Sequence, residues 1–279
     1  MVFGKRPNVK EHQQLLLMRR AGLVVAEALQ RCADTAEPGM TTTDLDAVAA
    51  AVIASHGAKP SFLGYFGYPA TICVSVNEEI VHGIPGGRVL REGDLVSIDC
   101  GAIVEGWHGD AAVTVLLGDV SSEHRRLSEV TREALWSGLA AAVPGHRVGH
   151  IGAAVEASVR GSQVPGGPEY GIVADYVGHG IGTEMHMDPP VPNLGPARTG
   201  PRLRAGMALA VEPMVTMGAP SSRVLDDDWT VVTLDGGVAA HWEHTVAITE
   251  EGPWVLTAVD GGAEKFAAMG VPSPAGKRG

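Results

Sequence analysis

The sequence predicts one large domain of the α/β or α+β class. The 279 residues exceed an average domain but are ordinary for a single unit of these classes, and a hydrophobic fraction of 45% is enough to build a core. Along the chain, the apolar patterns run helix, helix, strands and then helix, helix, strands again, which indicates two similar halves. Because no proline- and serine-rich linker interrupts this order, we expect both halves to form one domain.

Four segments carry apolar residues at the spacing of an amphipathic helix. The first begins near Glu11 and ends at Gly39, a residue that commonly terminates helices. The second follows the sequence TTTD at 41–44, whose hydroxyl and carboxylate side chains supply an N-cap. After the first helix, the predicted helices span about 44–55, 122–142 and 148–161.

Strands are predicted where short runs rich in apolar and β-branched residues lie between turn residues. These strands span 72–76, 95–103, 111–117, 208–212, 230–234 and 241–249. We expect residues 1–9 to form a flexible lead-in and residues 10–260 to form the single domain. Residues 261–279 are rich in Gly, Ala, Pro and Ser, so a flexible tail is expected there.

Charge and composition exclude several classes of function. The net charge is −11 and there is no Lys/Arg cluster, whereas a nucleic-acid partner requires a basic face. The three cysteines (Cys32, Cys73 and Cys100) have no paired spacing, which indicates a reducing compartment. The sequence lacks the apolar segment of a signal peptide and any apolar run near the ~20 residues of a membrane span. We therefore expect a soluble, cytoplasmic protein with no nucleic-acid or membrane partner.

Two aspartates are predicted to share one face of a β-hairpin. Asp99 ends one strand and Asp110 begins the next, with Glu105-Gly106 as a plausible turn. If the turn centres just before Glu105, the two aspartates are directly opposite, and if it centres just after Glu105, Asp99 faces Ala112 with Asp110 as its diagonal neighbour. Both registers place the carboxylates on the same side, where they repel each other unless a cation binds both. An isolated pair is commonly solvated, but the apolar flanking runs favour buried strands.

Three further residues carry side chains suited to metal binding. His179 lies between Gly178 and Gly180, whose small size frees the approach to its ring. Glu212 ends one apolar strand and Glu243 begins another, where a carboxylate must be paired, protonated or coordinated. No Lys or Arg lies near them in sequence, which favours a cation over a salt bridge. Four carboxylates and one imidazole suit hard to borderline divalent ions, and two such ions can share bridging carboxylates.

Two more histidines are candidates for catalysis. His82 lies in VHGIP and His186 lies in MHMDPP, both in segments without helix or strand periodicity. Taken alone, each is equally compatible with a surface loop and with an active site.

These motifs together resemble the type I methionine aminopeptidases. The resemblance covers roughly residues 10 to 260, and its specificity comes from the presence of all the motifs in order. They are GYFGYP (64–69), SVNE (75–78), HGIP (82–85), Asp99 with HGD (108–110), GHGIG (178–182), VEP (211–213), WT (229–230) and WEHT (242–245).

The resemblance implies the pita-bread fold, an α+β architecture of two pseudo-symmetric halves with an antiparallel sheet and helices packed on one side. It also implies two divalent ions per chain (Mn, Fe, Co or Zn), bridged by Asp110 and Glu243. The implied metal ligands are Asp99, Asp110, His179, Glu212 and Glu243. The implied catalytic residues are Glu212, which shuttles a proton, and His82 and His186, which contact the scissile amide and its oxyanion.

The same resemblance implies a pocket for a methionine side chain. The expected substrate-binding residues are Phe62, Tyr65, Tyr68, Cys73, His82, Met185, His186 and Trp229. The chain departs from the usual pattern at Phe62, where a smaller residue is expected, at Phe66, where His is frequent, and at Met185, which replaces a frequent Phe. These departures concern the lining of the pocket and leave the ligand set intact.

The implied function is removal of the N-terminal (initiator) methionine from nascent polypeptides with a small second residue, through a hydroxide shared by two metals. The resemblance further implies a cytoplasmic monomer that makes at most transient contact with the ribosome. An Xaa-Pro peptidase of the same fold and a non-catalytic binding module are the alternatives. The first usually carries an extra N-terminal domain, although the catalytic motifs here begin near residue 64, and the second typically loses ligands that are all present here.

Overall fold

Four of the five helices in the described residues form two pairs, and each pair precedes one half of the main sheet. In the computed structural model, which describes residues 8–277, the helices are α1 (His12–Thr35), α2 (Thr42–Ser55), α3 (Ser122–Ala140), α4 (Val148–Gly161) and α5 (Ala263–Ala268). Short 3-10 helices occur at Tyr65–Gly67 and Pro274–Lys277. No helix within residues 8–277 combines the length and the apolar character needed to cross a membrane. The first seven residues of the predicted lead-in lie outside the described residues.

Fifteen strands run through the described residues. They are β1 (Lys59–Pro60), β2 (Ile72–Val76), β3 (Glu79–Val81), β4 (Leu95–Val104), β5 (Trp107–Leu116), β6 (Tyr170–Ile172), β7 (Gly178–Gly180), β8 (Met187–Val191), β9 (Ala208–Val211), β10 (Met214–Met217), β11 (Ser222–Val224), β12 (Val231–Thr233), β13 (Ala239–His241), β14 (Glu243–Thr249) and β15 (Gly252–Val255). The main sheet has the order β1-β4-β5-β14-β9-β7-β8, with β2 beside β4 and β15 beside β14. Its paired strands are antiparallel. Two smaller sheets have the orders β13-β10-β6 and β11-β12-β3.

Each helix pair packs on its own half of the structure. Helices α1 and α2 contact each other, and α1 covers β4 and β5. Helices α3 and α4 likewise contact each other, and α3 packs against β9, β13 and β14. The two halves have separate apolar cores, the first around Val25 and Ile98 and the second around Leu139 and Val211. This arrangement agrees with the predicted α+β class and its two similar halves.

The second helix begins at the cap that the sequence predicts. Thr41 is the N-cap residue, and its hydroxyl accepts the backbone N–H of Asp44 at 3.3 Å. The carboxylate of Asp44 in turn accepts the backbone N–H of Thr41 at 2.7 Å. This reciprocal capping box satisfies two backbone donors that the first turn of a helix leaves free.

The predicted helices and strands agree best with the structure where the apolar pattern extends over many residues. The four predicted helices correspond to α1–α4, and the strand predicted at 72–76 is β2. The predicted strand 241–249 is divided at Trp242 into β13 and β14, which belong to different sheets. Strands β1, β3, β6, β7, β8, β10, β11 and β15 were not predicted. They have two to five residues each, which are too few to show a clear period, and pairing with other strands defines them.

The C-terminal segment, for which the composition predicts a flexible tail, contains a short helix. Helix α5 starts after Gly262, whose φ of 88° lies in the left-handed region that glycine adopts readily. Phe266 on this helix is fully buried in the second core, where its ring lies 5.5 Å from that of Trp136. Ser273 also donates a hydrogen bond of 2.7 Å to the backbone oxygen of Pro253. One aromatic anchor thus attaches this Gly- and Pro-rich segment to the second core, and the flexibility of residues 261–279 stays a prediction.

This anchoring predicts that Phe266→Ala destabilises the whole domain. Removing a fully buried phenylalanine leaves a cavity, and such substitutions lower the free energy of unfolding by about 3–5 kcal/mol. Chemical denaturation of the purified variants measures the change. Met269→Ala, in the same segment but 39% exposed, serves as the matched control and is expected to change stability little. Equal stability of Phe266→Ala and the wild type would show that the segment does not belong to the cooperative fold.

Candidate metal centre and substrate pocket

Alternation along the strands points a set of polar side chains away from the helices. In β4, Ile98 and Cys100 pack in the core beneath α1, so Asp99 between them points to the opposite face of the sheet. In β9, Val211 packs in the second core, so Glu212 after it points away from that core. The helix-free face of the sheet therefore receives carboxylates from both halves.

Pairing between strands places these side chains in two adjacent rows. In the first row, Ala112 of β5 lies opposite Asp99 of β4 on one side and opposite Glu243 of β14 on the other. Glu212 completes this row, because it follows directly on the β9–β14 ladder beside Glu243. Three carboxylates from three separate parts of the chain thus lie side by side.

The second row supplies the remaining carboxylate and the imidazole. Asp110 of β5 donates its backbone N–H to the hydroxyl of Thr245 in β14, and that hydroxyl donates to the backbone oxygen of Asp110. Thr245 pairs with Ala210 of β9, and the β7–β9 pairing brings His179 beside Ala210. Both rows meet in the middle of the main sheet, where the two halves of the chain join.

The hairpin between β4 and β5 takes the second of the two predicted registers. Asp99 lies opposite Ala112, and Asp110 is opposite Gly101 as a diagonal neighbour of Asp99. The two turn residues, Glu105 and Gly106, have φ angles of 50° and 82°. Positive φ at both central residues defines the type I′ turn, which favours a two-residue connection between antiparallel strands.

The histidine presents an unprotonated nitrogen to the carboxylates. Nδ1 of His179 lies 2.9 Å from the backbone oxygen of Gly180, and in a neutral ring it is therefore the donor. Nε2 then carries a lone pair and lies 3.6 Å from Glu212 Oε1 and 3.8 Å from Asp110 Oδ2. Such an outward hydrogen bond from the second ring nitrogen is the usual support for a metal-binding histidine.

Several carboxylate oxygens at this site have no hydrogen-bond partner. Asp99 Oδ1, Asp110 Oδ1 and Glu243 Oε1 are all buried and lack any partner within the described part of the chain. A buried unpaired carboxylate oxygen is costly, because it has lost water without gaining a donor. These oxygens are therefore available to a ligand that supplies positive charge.

The protein environment disfavours the charged forms of all four carboxylates. Burial raises the pKa of Asp99 to about 7. Burial, followed by the charges of neighbouring carboxylates, raises the pKa values of Asp110 and Glu243 well above their ordinary range. Burial and the charge of Asp99 do the same for Glu212. Burial also lowers the pKa of His179 to about 4, so this imidazole supplies no compensating positive charge near neutral pH.

The donor set fits divalent cations. Asp110, His179 and Glu243 each offer a ligand atom, and these three atoms lie within 4.8 Å of one another. Oxygen donors with one imidazole suit Mn²⁺, Fe²⁺, Co²⁺ and Zn²⁺, and a cation resolves both the unpaired oxygens and the carboxylate repulsion. We therefore conclude that the residues present are chemically suited to a divalent metal.

A cavity of about 530 Å³, including its open mouth, lies directly over this face. Its lining comprises every candidate site residue that the sequence singled out and no other residue. They are Phe62, Tyr65, Tyr68, Cys73, His82, Asp99, Asp110, His179, Met185, His186, Glu212, Trp229 and Glu243. The carboxylates form one wall, and the aromatic and sulfur-containing side chains pack together as an apolar cluster beside it.

The two candidate catalytic histidines enter the same cavity from different loops. His82 has a φ of 60° and its ring lies 6.4 Å from that of Trp229. The ring of His186 is 4.3 Å from that of His179. Burial lowers the pKa of His82 to about 4 and also lowers the pKa of His186, so both rings are neutral near pH 7. Neutral imidazoles act as single hydrogen-bond donors rather than as cations.

Sequence reasoning missed a third histidine beside the carboxylates. His241 is 1% exposed, and its Nε2 lies 4.0 Å from Glu212 Oε2 without a hydrogen-bond partner among the described residues. A signal for it exists in the sequence, because His241 precedes Glu243 by two positions and side chains two apart on a strand share a face. The strand break at Trp242 weakens that argument without reversing it.

The shifted pKa of Asp99 predicts a pH-dependent stability of the metal-free protein. Because its folded pKa (about 7) is above the ordinary value of 3.8, the folded state keeps a proton that the unfolded state releases. This contribution is fully present below about pH 4 and is lost as pH rises to 7, with a slope of up to about 1.4 kcal/mol per pH unit. Unfolding of chelator-treated wild type and Asp99→Asn, compared from pH 4 to 8, measures it.

In that comparison the wild type is expected to lose stability relative to Asp99→Asn as pH rises. The buried histidines contribute a slope of opposite sign, but that slope is common to both proteins and cancels in the difference. A difference that stays constant from pH 4 to 8 would show that Asp99 is ionised normally in the folded protein.

Comparisons with known proteins identify the family. The model of metallopeptidase family M24 matches residues 16–250. Methionine aminopeptidase 1 of Mycobacterium tuberculosis is 54% identical over 245 residues, which are 88% of this chain and 92% of the relative. Methionine aminopeptidase 1 of Bacillus subtilis is 48% identical over 259 residues, 93% of this chain and 100% of the relative.

A solved structure supports the same conclusion. The crystal structure of methionine aminopeptidase from Thermotoga maritima superimposes with a TM-score of 0.87 at 41% identity, covering 90% of this chain and 99% of that chain. The predicted pita-bread fold is thereby confirmed, as is the predicted family resemblance. The chain belongs to metallopeptidase family M24, among the methionine aminopeptidases.

Proposed function

We propose that this chain removes the N-terminal (initiator) methionine from nascent polypeptides whose second residue is small. The observation that carries the proposal is the single cavity in which a carboxylate-histidine cluster adjoins an apolar pocket. The cluster suits a hydrolytic metal centre, and the pocket suits an unbranched thioether side chain. The similarity to methionine aminopeptidases over about nine tenths of the chain supports the same assignment.

We infer that five residues hold two divalent ions, chosen from Mn, Fe, Co and Zn. They are Asp99, Asp110, His179, Glu212 and Glu243. The family resemblance implies that Asp110 and Glu243 would contact both ions. These two residues lie on β5 and β14, between the candidate ligands from β4, β7 and β9. When bound, such ions supply Lewis acidity that lowers the pKa of water and neutralises negative charge on a substrate oxygen.

The apolar side of the cavity is the proposed methionine pocket. Phe62, Tyr68 and Met185 are buried there, and the ring of Tyr68 lies 5.0 Å from that of Trp229 in an edge-to-face arrangement. Full burial of a methionine side chain contributes about 1.5–3 kcal/mol. Contacts between the thioether sulfur and aromatic rings add about 0.3–1.5 kcal/mol. Phe62 and Met185, which depart from the family pattern, still preserve the apolar character of this wall.

Proton movements are assigned to residues that surround the cluster. Glu212 accepts a proton from the attacking water at a carboxylate oxygen and passes it toward the leaving amine. His82 hydrogen-bonds the scissile amide. His186 donates a hydrogen bond from its ring to the developing oxyanion. Because both histidines are neutral, neither adds charge repulsion to the bound ions.

The substrates and setting follow from this assignment. N-terminal methionines are found on newly made polypeptides, so nascent chains are the proposed partners, with transient contact to the ribosome. We propose that the chain acts as a monomer in the cytoplasm, as its resemblance to the methionine aminopeptidases implies.

The proposed activity predicts a defined pattern of peptide cleavage. Metal-depleted protein receives Mn²⁺, Fe²⁺, Co²⁺ or Zn²⁺ separately, and free methionine is measured with Met-Ala-Ser and Met-Lys-Ser. Release is expected from Met-Ala-Ser with at least one ion and to be much slower from Met-Lys-Ser, whose second residue is bulky. An Ala-Pro peptide serves as the control for an Xaa-Pro peptidase. Preferential cleavage of that peptide, or no cleavage with any bound ion, would contradict the substrate assignment.

The proton-shuttle role predicts a large effect of Glu212→Gln. The amide oxygen of glutamine can still bind a metal ion, but the amide cannot accept and pass on the proton. We therefore expect kcat to fall by at least about 100-fold. Metal content, determined by elemental analysis, shows whether the ions remain bound. Glu250→Gln changes an exposed glutamate at the end of β14 and is the matched control, with kcat unchanged. Full turnover by Glu212→Gln with full metal content would exclude this role.

A further inference from the structure

One hydrogen bond in the cavity has no place in the roles assigned so far. The phenol oxygen of Tyr65 lies 2.8 Å from Nδ1 of His186, and the two ring centroids are 5.4 Å apart. Both residues line the cavity, although they lie 121 positions apart in the chain. Sequence reasoning treats Tyr65 only as part of the pocket wall. Its hydroxyl, however, contacts a residue of the reaction machinery.

The chemistry of a neutral imidazole gives this contact a consequence. Such a ring carries one N–H, and a hydrogen-bond partner on one nitrogen determines which nitrogen carries it. A phenol can either donate or accept. A phenol has an ordinary pKa of about 10, so the hydroxyl of Tyr65 keeps its proton near neutral pH. If the hydroxyl donates to Nδ1 of His186, the N–H of His186 must be on Nε2.

The loop that carries Tyr65 is built to hold the phenol in place. Gly64 has a φ of 84°, in the left-handed region, and Tyr65–Gly67 forms a 3-10 turn. Tyr65 donates its N–H to the backbone oxygen of Phe62 at 2.8 Å and accepts from the N–H of Tyr68 at 2.9 Å. The Phe66 ring lies 4.6 Å from the Tyr65 ring, edge to face. Backbone and side chain are thus both restrained.

We propose that Tyr65 is a positioning residue that acts through His186. Its hydroxyl donates to Nδ1, fixes the Nε2–H tautomer and orients Nε2–H toward the substrate carbonyl oxygen. This inference rests on the proposed function, because it gives a purpose to the donor role of His186. The two parts of the Tyr65 side chain then have different roles: the ring lines the methionine pocket, and the hydroxyl orients His186.

Tyr65→Phe tests this separation, because it keeps the ring and removes the hydroxyl. With Met-Ala-Ser and the metal-loaded enzyme, kcat is expected to fall between about twofold and tenfold, the effect of losing one hydrogen bond. KM is expected to stay within about twofold, because the pocket wall remains. Tyr170→Phe, a buried tyrosine outside the cavity, is the matched control and should leave both constants unchanged.

A double-mutant cycle with His186→Ala shows whether the hydroxyl acts through the histidine. Adding Tyr65→Phe to His186→Ala is expected to produce no further fall in kcat, because the hydroxyl no longer has its acceptor. An equal fall in both backgrounds overturns the inference. Unchanged kcat for Tyr65→Phe in the wild-type background overturns it as well.

Nitrogen NMR of ¹⁵N-histidine-labelled, metal-loaded protein supplies a readout independent of turnover. His186, assigned by comparison with His186→Ala, is expected to show a protonated Nε2 and an unprotonated Nδ1. This preference should weaken in Tyr65→Phe. A protonated Nδ1 in the wild type contradicts the inference. If the wild type releases no methionine, the proposed function fails, and the measured tautomer still decides whether Tyr65 positions His186.

Discussion

Four carboxyl groups converge on one patch of the main sheet, and their mutual repulsion is the constraint on which the rest of the site depends. Two unit charges 4 Å apart repel by ~4 kcal/mol at the effective dielectric constant of a protein surface. His179 does not relieve this repulsion, because burial keeps its imidazole neutral. In the metal-free protein the carboxyl groups instead hold their protons more tightly, and several of their oxygens have no partner in the described residues. A cation relieves both the charge and the missing contacts, so metal binding and the local fold are energetically coupled.

The same arrangement of helices and strands in both halves of the chain creates this patch. A helix pair covers one face of the strands, and alternation then points every second side chain to the other face. The small, fully buried Ala112 and Ala210 occupy the rows between the ligands and leave space above the sheet for ions. Loops beyond the strand ends then add the pocket wall and two neutral histidines, so one cavity combines hydrolytic chemistry with side-chain selection.

The parts of the site that can be predicted from the residues alone are those that depend on local sequence patterns, such as the two-residue period of a strand. Asp99 and Asp110 share a face because strand periodicity is two, whichever register the hairpin adopts. Glu243 lies opposite Ala112 although the two residues are more than 130 positions apart in the chain. In the sequence, only the family motifs indicate this proximity. His241 was missed, although its spacing from Glu243 contains the signal. The buried Phe266 was missed because tertiary packing overrides a composition that is typical of flexible tails.

We propose that the carboxylate cluster binds two divalent ions. Calorimetric titration of Mn²⁺ into metal-depleted protein tests it most directly, with Glu243→Gln as the variant that alters a proposed bridging ligand. We expect two ions per wild-type chain and weakened binding of both in Glu243→Gln, because a bridging carboxylate would serve both ions. Binding of a single ion by the wild type, or unchanged binding by Glu243→Gln, would contradict the dinuclear site.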